Sequence, residues 1–353
     1  MTSSEYTRRL QNVEDSLTAV FPRRTTLDWG RAVAGQQSLP LRPESLDLIN
    51  APGWTLLERG GKRWRPLVMI LAHELYGGTL AGIDQLTALV ELPHTGSLII
   101  DDIEDKASER RGGPAIHLVH GIDMAINTGN FLYFQPTYLI EACGLAEERQ
   151  FRVMKYYLRV MRRLHFGQGL DIQWHNDHAL LPSHDEYLQM CRFKTGALSR
   201  LAAEIGAASA GAEPAAVEAV GELWEDIGVG FQILDDVKNL VTGNPGKLRG
   251  DDIVEGKKSL PVLLHAERAH DKGASLLALF ETVSAAHAAG RPVEPLIGQA
   301  IALMAASGGL DAAYRHGEGL LQAALAKLEA FPANEANQGM RFLVNTFWEG
   351  LKR

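Results

Sequence analysis

Two aspartates four residues apart, Asp101 and Asp105, are the first side chains of this sequence that could do chemistry together. They follow an apolar run, Leu98-Ile99-Ile100, of the kind found in a core helix. On a helix, residues four apart project from one face, and two like charges at that spacing repel. A cation would remove the repulsion, and oxygen ligands suit Mg²⁺ that bridges to phosphates. The alternative is a solvated acidic turn, because single short motifs are often coincidental.

A second acidic pair, Asp235-Asp236, ends another apolar run, which begins at Phe231. Acids that face one another inside a helical core need a metal ion to be stable. Cations are also spread through the chain, at Lys62, Arg65, Arg110, Arg111, Lys194, Lys247 and Lys257. A metal together with arginines and lysines implies a polyanion, most simply a diphosphate. Because the interior is otherwise apolar, the predicted ligand is a hydrocarbon alcohol diphosphate.

The elements that must position these residues are predicted to be helices. Apolar residues recur at the helical period through most of the chain, whereas strand-period alternation and Asn-Gly hairpin turns are absent. The pattern predicts an all-α fold, a bundle of ten or more helices around a central apolar cavity. Residues 1–353 are expected to form a single domain. Within it, residues 1–43 are expected to be a peripheral segment, helical over Glu5–Val20 and irregular over 21–43.

Composition excludes several other classes of protein. The chain has 353 residues, of which 46% are hydrophobic and 22% charged, as in soluble globular proteins. A net charge of −8 without a long basic run argues against nucleic acid as a partner. Neither a signal peptide nor a membrane-spanning run is visible. The only cysteines, Cys143 and Cys191, lack metal-type spacing, so a reduced, cytoplasmic protein is expected.

A polar stretch with three histidines offers a competing metal site. His175, His178 and His184 lack the repeated helical spacing that ligation requires, so the stretch is interpreted as a loop without metal. The pairs His184-Asp185 and His270-Asp271 would suit an all-α metal phosphohydrolase. They also lie in polar segments, which disfavours that class.

The motifs taken together resemble those of the trans-prenyltransferases, the head-to-tail isoprenyl diphosphate synthases. The matching segments are Gly60–Pro66, Asp101–Asp105, Arg110–Pro114, Lys194-Thr195, Phe231–Asp236 and the stretch from Gly246 to Lys257. Asp101–Asp105, Ile126-Asn127-Thr128 and Gly167–Ile172 are similar to the eukaryotic-type geranylgeranyl diphosphate synthases. That subgroup shares Asn239 in place of a third acid in the second motif. The resemblance implies an isoprenoid-synthase-like fold and a homodimer.

The resemblance also implies two diphosphate sites. Isopentenyl diphosphate would be held without metal by Lys62, Arg65, His94 and Arg111. The allylic partner, a dimethylallyl, geranyl or farnesyl diphosphate, would be held by roughly three Mg²⁺ ions on acidic side chains. Those side chains would be Asp101, Asp105 and Asp235, helped by Arg110, Lys194, Lys247 and Lys257. Thr195 and Gln232 would face the carbocation as neutral dipoles, and together with Lys194 and the three acids they would be the catalytic residues.

Product length is predicted from the residues one turn before Asp101. Gly96 and Ser97 are small, so nothing blocks a tunnel at the depth where aromatic residues stop growth at C15 in the family. Tyr133 and Phe134 match the positions that cap the tunnel in the similar subgroup. The predicted product is all-trans geranylgeranyl diphosphate, C20. Shorter C15 products are the alternative, as are products of C25 and above if Tyr133 and Phe134 only pack the core.

Two further classes are weighed against this prediction. A class I terpene cyclase would share the all-α fold and the first acidic motif. It would also need an (N/D)DxxSxxxE motif, which fails because Asn239 and Gly243 follow Asp235-Asp236. A non-catalytic regulatory subunit should have lost acids or cations of the two sites, and here all of them are present.

Overall fold

The structure, a computed structural model, describes residues 1–177, 179–243 and 249–352. Nearly all regular structure in these residues is helical, which confirms the predicted all-α fold. The chain divides into two compact units, each assembled from three stretches of sequence. The first comprises residues 1–159, 200–221 and 332–340, and the second comprises 160–199, 222–331 and 341–353. The single domain over 1–353 stays a prediction.

The helices follow one another with short connections. In chain order they are α1 (Ser3–Val20), α2 (Leu27–Ala34), α3 (Pro43–Leu57), α4 (Trp64–Leu75), α5 (Ile83–Leu86), α6 (Ala88–Glu104), α7 (Ile116–His120), α8 (Ile122–Phe134), α9 (Tyr138–Ala142), α10 (Glu147–Asn176), α11 (His184–Cys191), α12 (Ala197–Ala210), α13 (Pro214–Val241), α14 (Asp251–Val254), α15 (Leu260–Arg268), α16 (Ala274–Ala288), α17 (Glu294–Ala306), α18 (Gly309–Lys327) and α19 (Glu335–Glu349). A π-helix, Arg192–Gly196, joins α11 to α12. The 3₁₀ turns Gln135–Thr137 and Leu328–Ala330 follow α8 and α18.

The N-terminal segment packs against the rest of the first unit, and its peripheral position stays a prediction. Helix α1 buries Val13 and Leu17 and contacts α4 and α5. The expected irregular stretch over 21–43 contains α2, whose first turn is capped by the Thr26 hydroxyl accepting from the Trp29 backbone N–H. Gly35 ends this helix in the left-handed conformation, with φ of 63°. This cap pair is the local signal of a helix that the sequence analysis missed.

The histidine stretch is also more helical than expected. Helix α10 continues to Asn176 because Trp174, which is buried, extends its apolar face into a core cluster of the second unit. His175 therefore lies on a helix, which corrects the predicted loop. His184 begins α11, whose first turn is closed by Ser183 and Glu186 in a capping box. His178 lies outside the described residues.

A short hairpin, whose two strands have two residues each, interrupts the helices, although the sequence analysis expected no strands. Strand β1 (Glu109–Arg110) pairs antiparallel with β2 (Gly113–Pro114). The turn residues Arg111 and Gly112 both have positive φ, 51° and 71°. Positive φ at both central positions gives the tight turn that suits the right-handed twist of paired strands.

The second unit is built around two apolar clusters. Helices α14, α16 and α17 contribute to one around Phe280 and Val283, and α11, α13, α15 and α18 contribute to another around Tyr187 and Ile233. Across the described part of the chain, no single helix has both the length and the apolar character needed to cross a membrane. Two consecutive helical segments, Glu294–Ala306 and Gly309–Ala330, reach that length and apolar character only when taken together, and they are bent by 70° relative to each other.

Candidate active site

The first acidic motif lies at the carboxyl end of α6. Asp105 caps this helix, and its backbone N–H donates to the Asp101 carbonyl oxygen at 2.8 Å, so the two residues lie one turn apart as predicted. Both are partly buried, whereas Asp102, on the neighbouring face, is fully buried. The helix therefore presents Asp101 and Asp105 toward its partly exposed side and Asp102 toward the protein interior.

A guanidinium lies against the first two acids. Arg110 Nε donates to Asp102 Oδ1 at 2.7 Å, and Arg110 Nη2 lies 3.4 Å from Asp101 Oδ2. Burial raises the pKa of Asp102, although Arg110 acts in the opposite direction. Arg59 holds the hairpin in place by donating from Nη1 to the carbonyl oxygens of Arg110 and Pro114, at 2.8 and 2.9 Å. The sequence analysis missed Arg59, which lies just beyond the end of α3.

A cation cluster forms elsewhere in the first unit from Arg65 of α4 and Arg111 of the hairpin turn, with His94 of α6 beside it. Burial and repulsion from Arg111 lower the pKa of Arg65 to about 10, against the attraction of Glu91. Burial, followed by Arg65 and Arg111, holds the pKa of His94 well below its ordinary value. The pKa of Arg111 is also lowered, chiefly by burial. Cations this close favour a bound anion, because an anion would relieve their mutual repulsion.

The second acidic motif lies near the end of α13, in the second unit. Asp235 is partly buried and Asp236 is buried. Asp236 accepts from the Tyr187 hydroxyl at 2.9 Å and from the Gln232 side-chain amide at 2.6 Å. Thr195 in turn donates to Gln232 Oε1 at 2.8 Å. These bonds form a continuous chain from Thr195 to Tyr187, which the sequence analysis did not foresee because Tyr187 belongs to none of its motifs.

Lys194 and Thr195 lie on the π-helix Arg192–Gly196. A widened turn of this kind is rare in proteins, and where it does occur it is often part of a functional site. Lys194 Nζ pairs with Asp171 of α10 at 2.5 Å. Gly167 faces the widened turn, and a Cβ on it would collide with the backbone nitrogen of Lys194. The sequence motif containing Gly167 and Asp171 therefore serves to seat the π-helix and its lysine.

The residues after the second motif are tied to one another. The Asn239 side-chain amide donates to Asp251 of α14, so the residue that replaces a third acid holds another carboxylate. Lys257 pairs with Glu255 at 2.5 Å and lies 3.6 Å from Asp252. Lys247 lies outside the described residues, so its predicted role has no structural description.

The predicted tunnel residues have different surroundings. A Cβ on Gly96 would lie 2.6 Å from the Gly129 carbonyl oxygen, so Gly96 allows the close contact of α6 with α8. Ser97 is partly buried and its hydroxyl donates to the His94 carbonyl at 2.8 Å. Tyr133 is buried, whereas Phe134 is 69% exposed. Successive helical residues point in directions about 100° apart, so Phe134 faces away from the interior, and an internal cap formed by it does not fit this exposure.

The oxygen-rich acidic turns suit magnesium. Mg²⁺ is usually held by one or two carboxylates together with substrate phosphates, rather than by a complete protein cage. In residues 1–177, 179–243 and 249–352, no three His, Cys, Asp or Glu side chains form a ready metal cluster. Asp101 and Asp105 together would supply part of a magnesium coordination shell, and so would Asp235. Phosphate oxygens would complete the shell in each case. Asp101 and Asp105 belong to the first unit and Asp235 to the second, and their joint action stays a prediction.

Comparisons with known proteins agree with these features. The sequence model of the polyprenyl synthetase family matches residues 46–290. A geranylgeranyl pyrophosphate synthase of Eremothecium gossypii is 37% identical over 233 residues, which are 64% of this chain and 72% of that protein.

Two solved structures are similar over nearly the whole chain. The geranylgeranyl pyrophosphate synthetase of Pyrococcus horikoshii has a TM-score of 0.83 at 24% identity, covering 99% of this chain and 98% of its own. A Caulobacter crescentus polyprenyl synthase, solved with calcium and isoprenyl diphosphate, has a TM-score of 0.76 at 28% identity, with 99% and 98% covered.

The chain belongs to the polyprenyl synthetase family, since the family match covers more than half of its length. The predictions of a trans-prenyltransferase and of the all-α prenyl synthase fold are therefore confirmed.

Proposed function

We propose that this protein condenses isopentenyl diphosphate with an allylic diphosphate, head to tail, in a magnesium-dependent reaction. The observation that carries the proposal is the cation cluster of Arg65 and Arg111 with His94 beside it. Burial lowers the pKa of all three groups, and the charges of Arg65 and Arg111 lower the pKa of His94 further. Such a cluster favours a multiply charged anion such as a diphosphate. Lys62, exposed on the preceding loop, would complete this isopentenyl site.

The allylic diphosphate would be bound through the acidic turns. When bound, Mg²⁺ on Asp101, Asp105 and Asp235 would stabilise the negative charge that develops on the departing diphosphate. Arg110, Lys194, Lys257 and, by its sequence motif, Lys247 would contribute positive charge to the same group. Thr195 and Gln232, already oriented by their mutual hydrogen bond, would face the carbocation with neutral oxygen dipoles. The proton lost after condensation would leave with the diphosphate.

We propose C20 geranylgeranyl diphosphate as the main product. Ser97 supports this length, because it is small and only partly buried one turn before Asp101. Ser97→Phe should shorten the product to C15 by filling that space. Gly96→Ala is a matched control, since its added Cβ would meet the α8 backbone and should cost stability without shortening the product.

The test of this proposal is an assay with geranyl or farnesyl diphosphate plus isopentenyl diphosphate, with and without Mg²⁺. Diphosphate release should require the metal, and chromatography of the dephosphorylated products should show C20. Metal-independent release would contradict the proposed reaction. A wild-type product of C30 or longer, or a C20 product from Ser97→Phe, would contradict only the proposed length.

The apolar surface of α7 and α8 supports a homodimer as a further part of this proposal. Five large apolar side chains there are between 41% and 69% exposed: Leu118, Val119, Ile122, Ile126 and Phe134. Helices α7 and α8 contact each other, and exposed apolar side chains gathered on two contacting helices favour a protein–protein contact. Light scattering of the purified protein should give twice the mass of one chain, and a monomer mass at micromolar concentration would contradict the dimer. A cytoplasmic location stays a prediction.

A further inference from the structure

Arg63 lies in the sequence between Lys62 and Arg65, the two residues of this segment that are predicted to bind isopentenyl diphosphate. It precedes the first residue of α4, Trp64, and adopts the left-handed conformation with φ of 45° and ψ of 27°. This conformation is sterically unfavourable for a residue other than glycine, because its Cβ lies too close to the following carbonyl oxygen. The conformation of Arg63 therefore has to be held by its surroundings.

The guanidinium of Arg63 is held by three groups of the first unit. Nε donates to Glu14 Oε1 at 2.7 Å, Nη1 to Glu91 Oε1 at 2.6 Å, and Nη2 to the Leu57 carbonyl oxygen at 2.9 Å. The side chains of Arg63 and Glu91 are only 2% and 3% exposed. The Arg63 guanidinium is bound by protein groups on three sides and does not reach the substrate. The neighbouring Lys62, in contrast, is exposed.

These contacts determine the path of the loop before α4. A Cβ on Gly61 would lie 3.0 Å from Arg63 Nη1 and 3.1 Å from Arg111 Nη2, so the loop runs directly over two guanidinium groups. Arg111 also donates to the Gly60 carbonyl oxygen. The loop is thus folded onto Arg63 on one side and onto a member of the cation cluster on the other. A shift of Arg63 would move Lys62 and the first turn of α4, which carries Arg65.

Glu14 links this loop to α1, which lies outside the matched family region of 46–290. Helix α1 has a second ionic contact with α4, far from the loop. Arg9 donates to both carboxylate oxygens of Glu74, near the end of α4, at 2.8 and 3.0 Å. Helix α1 therefore forms ion pairs close to both ends of α4. Of these two contacts, the one made by Glu14 lies at the Gly60–Arg63 loop.

We infer that Arg63 and Glu14 are positioning residues for isopentenyl diphosphate, acting by holding the Gly60–Arg63 loop. The inference rests on the proposed function, because it assumes that Lys62 and Arg65 bind this substrate. It gives α1 a part in substrate binding rather than in folding alone. Loss of the Glu14 charge should loosen the loop and weaken binding of isopentenyl diphosphate, with little effect on the allylic substrate.

The test uses two variants of one helix, Glu14→Gln and Arg9→Gln. The Glu14 side chain is 43% exposed, so its replacement leaves the core intact. We expect Glu14→Gln to raise the KM for isopentenyl diphosphate about fivefold or more, the range of a typical coupling between groups. Its kcat and its KM for the allylic substrate should change less than about twofold. Arg9→Gln removes the ion pairs of Arg9 with Glu74 and with Glu5, both away from the Gly60–Arg63 loop, and should leave all three constants near the wild-type values.

Arg65→Ala separates this inference from the proposed function. If Arg65→Ala leaves the KM for isopentenyl diphosphate unchanged, the proposed substrate site is wrong and the inference fails with it. If Arg65→Ala raises this KM but Glu14→Gln does not, only the inference is wrong. An equal rise in Glu14→Gln and Arg9→Gln would also overturn it, because α1 would then act through general stability. Thermal melts of all three variants give the stability for that comparison.

Discussion

The two acidic turns of the protein place their second aspartate in different environments. In the first unit, Asp102 is fully buried and accepts from the charged guanidinium of Arg110. In the second unit, Asp236 is also buried, but it accepts from two neutral donors, the Tyr187 hydroxyl and the Gln232 amide. Burial raises the pKa of both carboxyl groups. Identical residue pairs in the sequence are thus supported by a cation in one unit and by neutral hydrogen bonds in the other.

The difference indicates a division of work within each pair. The preceding aspartates, Asp101 and Asp235, are only partly buried and can reach a ligand. The buried aspartates hold other groups in position: Asp102 holds Arg110 beside Asp101, and Asp236 holds Gln232. An ion pair places a charged side chain, whereas a neutral chain of hydrogen bonds places dipoles without adding charge. The dipoles placed in this way are those of Thr195 and Gln232, which are proposed to face the carbocation.

The largest expected effect comes from the partly buried aspartates. Asp101→Ala and Asp235→Ala should each lower turnover by at least about 100-fold, as the loss of a major electrostatic stabiliser does. Steady-state kinetics at saturating Mg²⁺ measures this. Asp185→Ala, which removes an exposed acid of α11, is the control and should retain full activity. Near-normal turnover in either of the first two variants would remove that aspartate from the proposed metal ligands.

A smaller effect is expected from the neutral chain of the second unit. Tyr187→Phe removes one donor to Asp236, which should loosen Gln232 and lower kcat about tenfold, equivalent to about 1.4 kcal/mol. The KM for isopentenyl diphosphate should not change. Tyr76→Phe is the matched control, since its hydroxyl donates to the Ala216 carbonyl at 3.2 Å in the first unit. Equal kcat values for the two variants would show that the chain does not position Gln232.

The smallest effect on turnover is expected from another buried acid, Glu204 of α12, whose replacement should change stability instead. Its carboxylate accepts from Arg200 Nε at 2.6 Å and from Arg159, yet burial outweighs both guanidiniums and raises its pKa to about 6. A raised pKa in the folded state stabilises the fold below the ordinary value of 4.5, and that stabilisation is lost as pH rises through 6. The loss should reach about 2 kcal/mol.

Glu204→Gln tests this prediction, because glutamine does not titrate. Urea unfolding at pH 4.5 and pH 7 should show wild-type stability falling relative to the variant between the two conditions. Kinetic constants of the variant should match the wild type, since Glu204 belongs to neither diphosphate site. Equal changes in stability for the two proteins between pH 4.5 and pH 7 would mean that the two guanidiniums keep Glu204 charged throughout.

Much of the fold and the site was predictable from local pattern. The spacing of Asp101 and Asp105 after an apolar run is enough to place both on one side of a helix end, because helical geometry depends on neighbours in the chain. The helical period likewise predicted α10 and α13, and the resemblance of the acidic and basic motifs to those of a known family predicted the prenyltransferase class. Errors fell where the pattern is short: α2 is only eight residues long, and the strands β1 and β2 have two residues each.

The tertiary structure decided which residue of each motif binds other protein groups and which is left to bind a ligand. Arg63 and Arg65 lie two residues apart in one basic run, yet Arg63 is bound by Glu14 and Glu91 while Arg65 joins the cation cluster. Asp236 is bound by Tyr187, which lies 49 residues earlier in the chain. These assignments depend on partners that are distant in sequence, and the energy of a buried charge depends on them. Residue types and spacing therefore predict that a site exists, and only the packed environment decides which groups bind substrate and which hold the others in place.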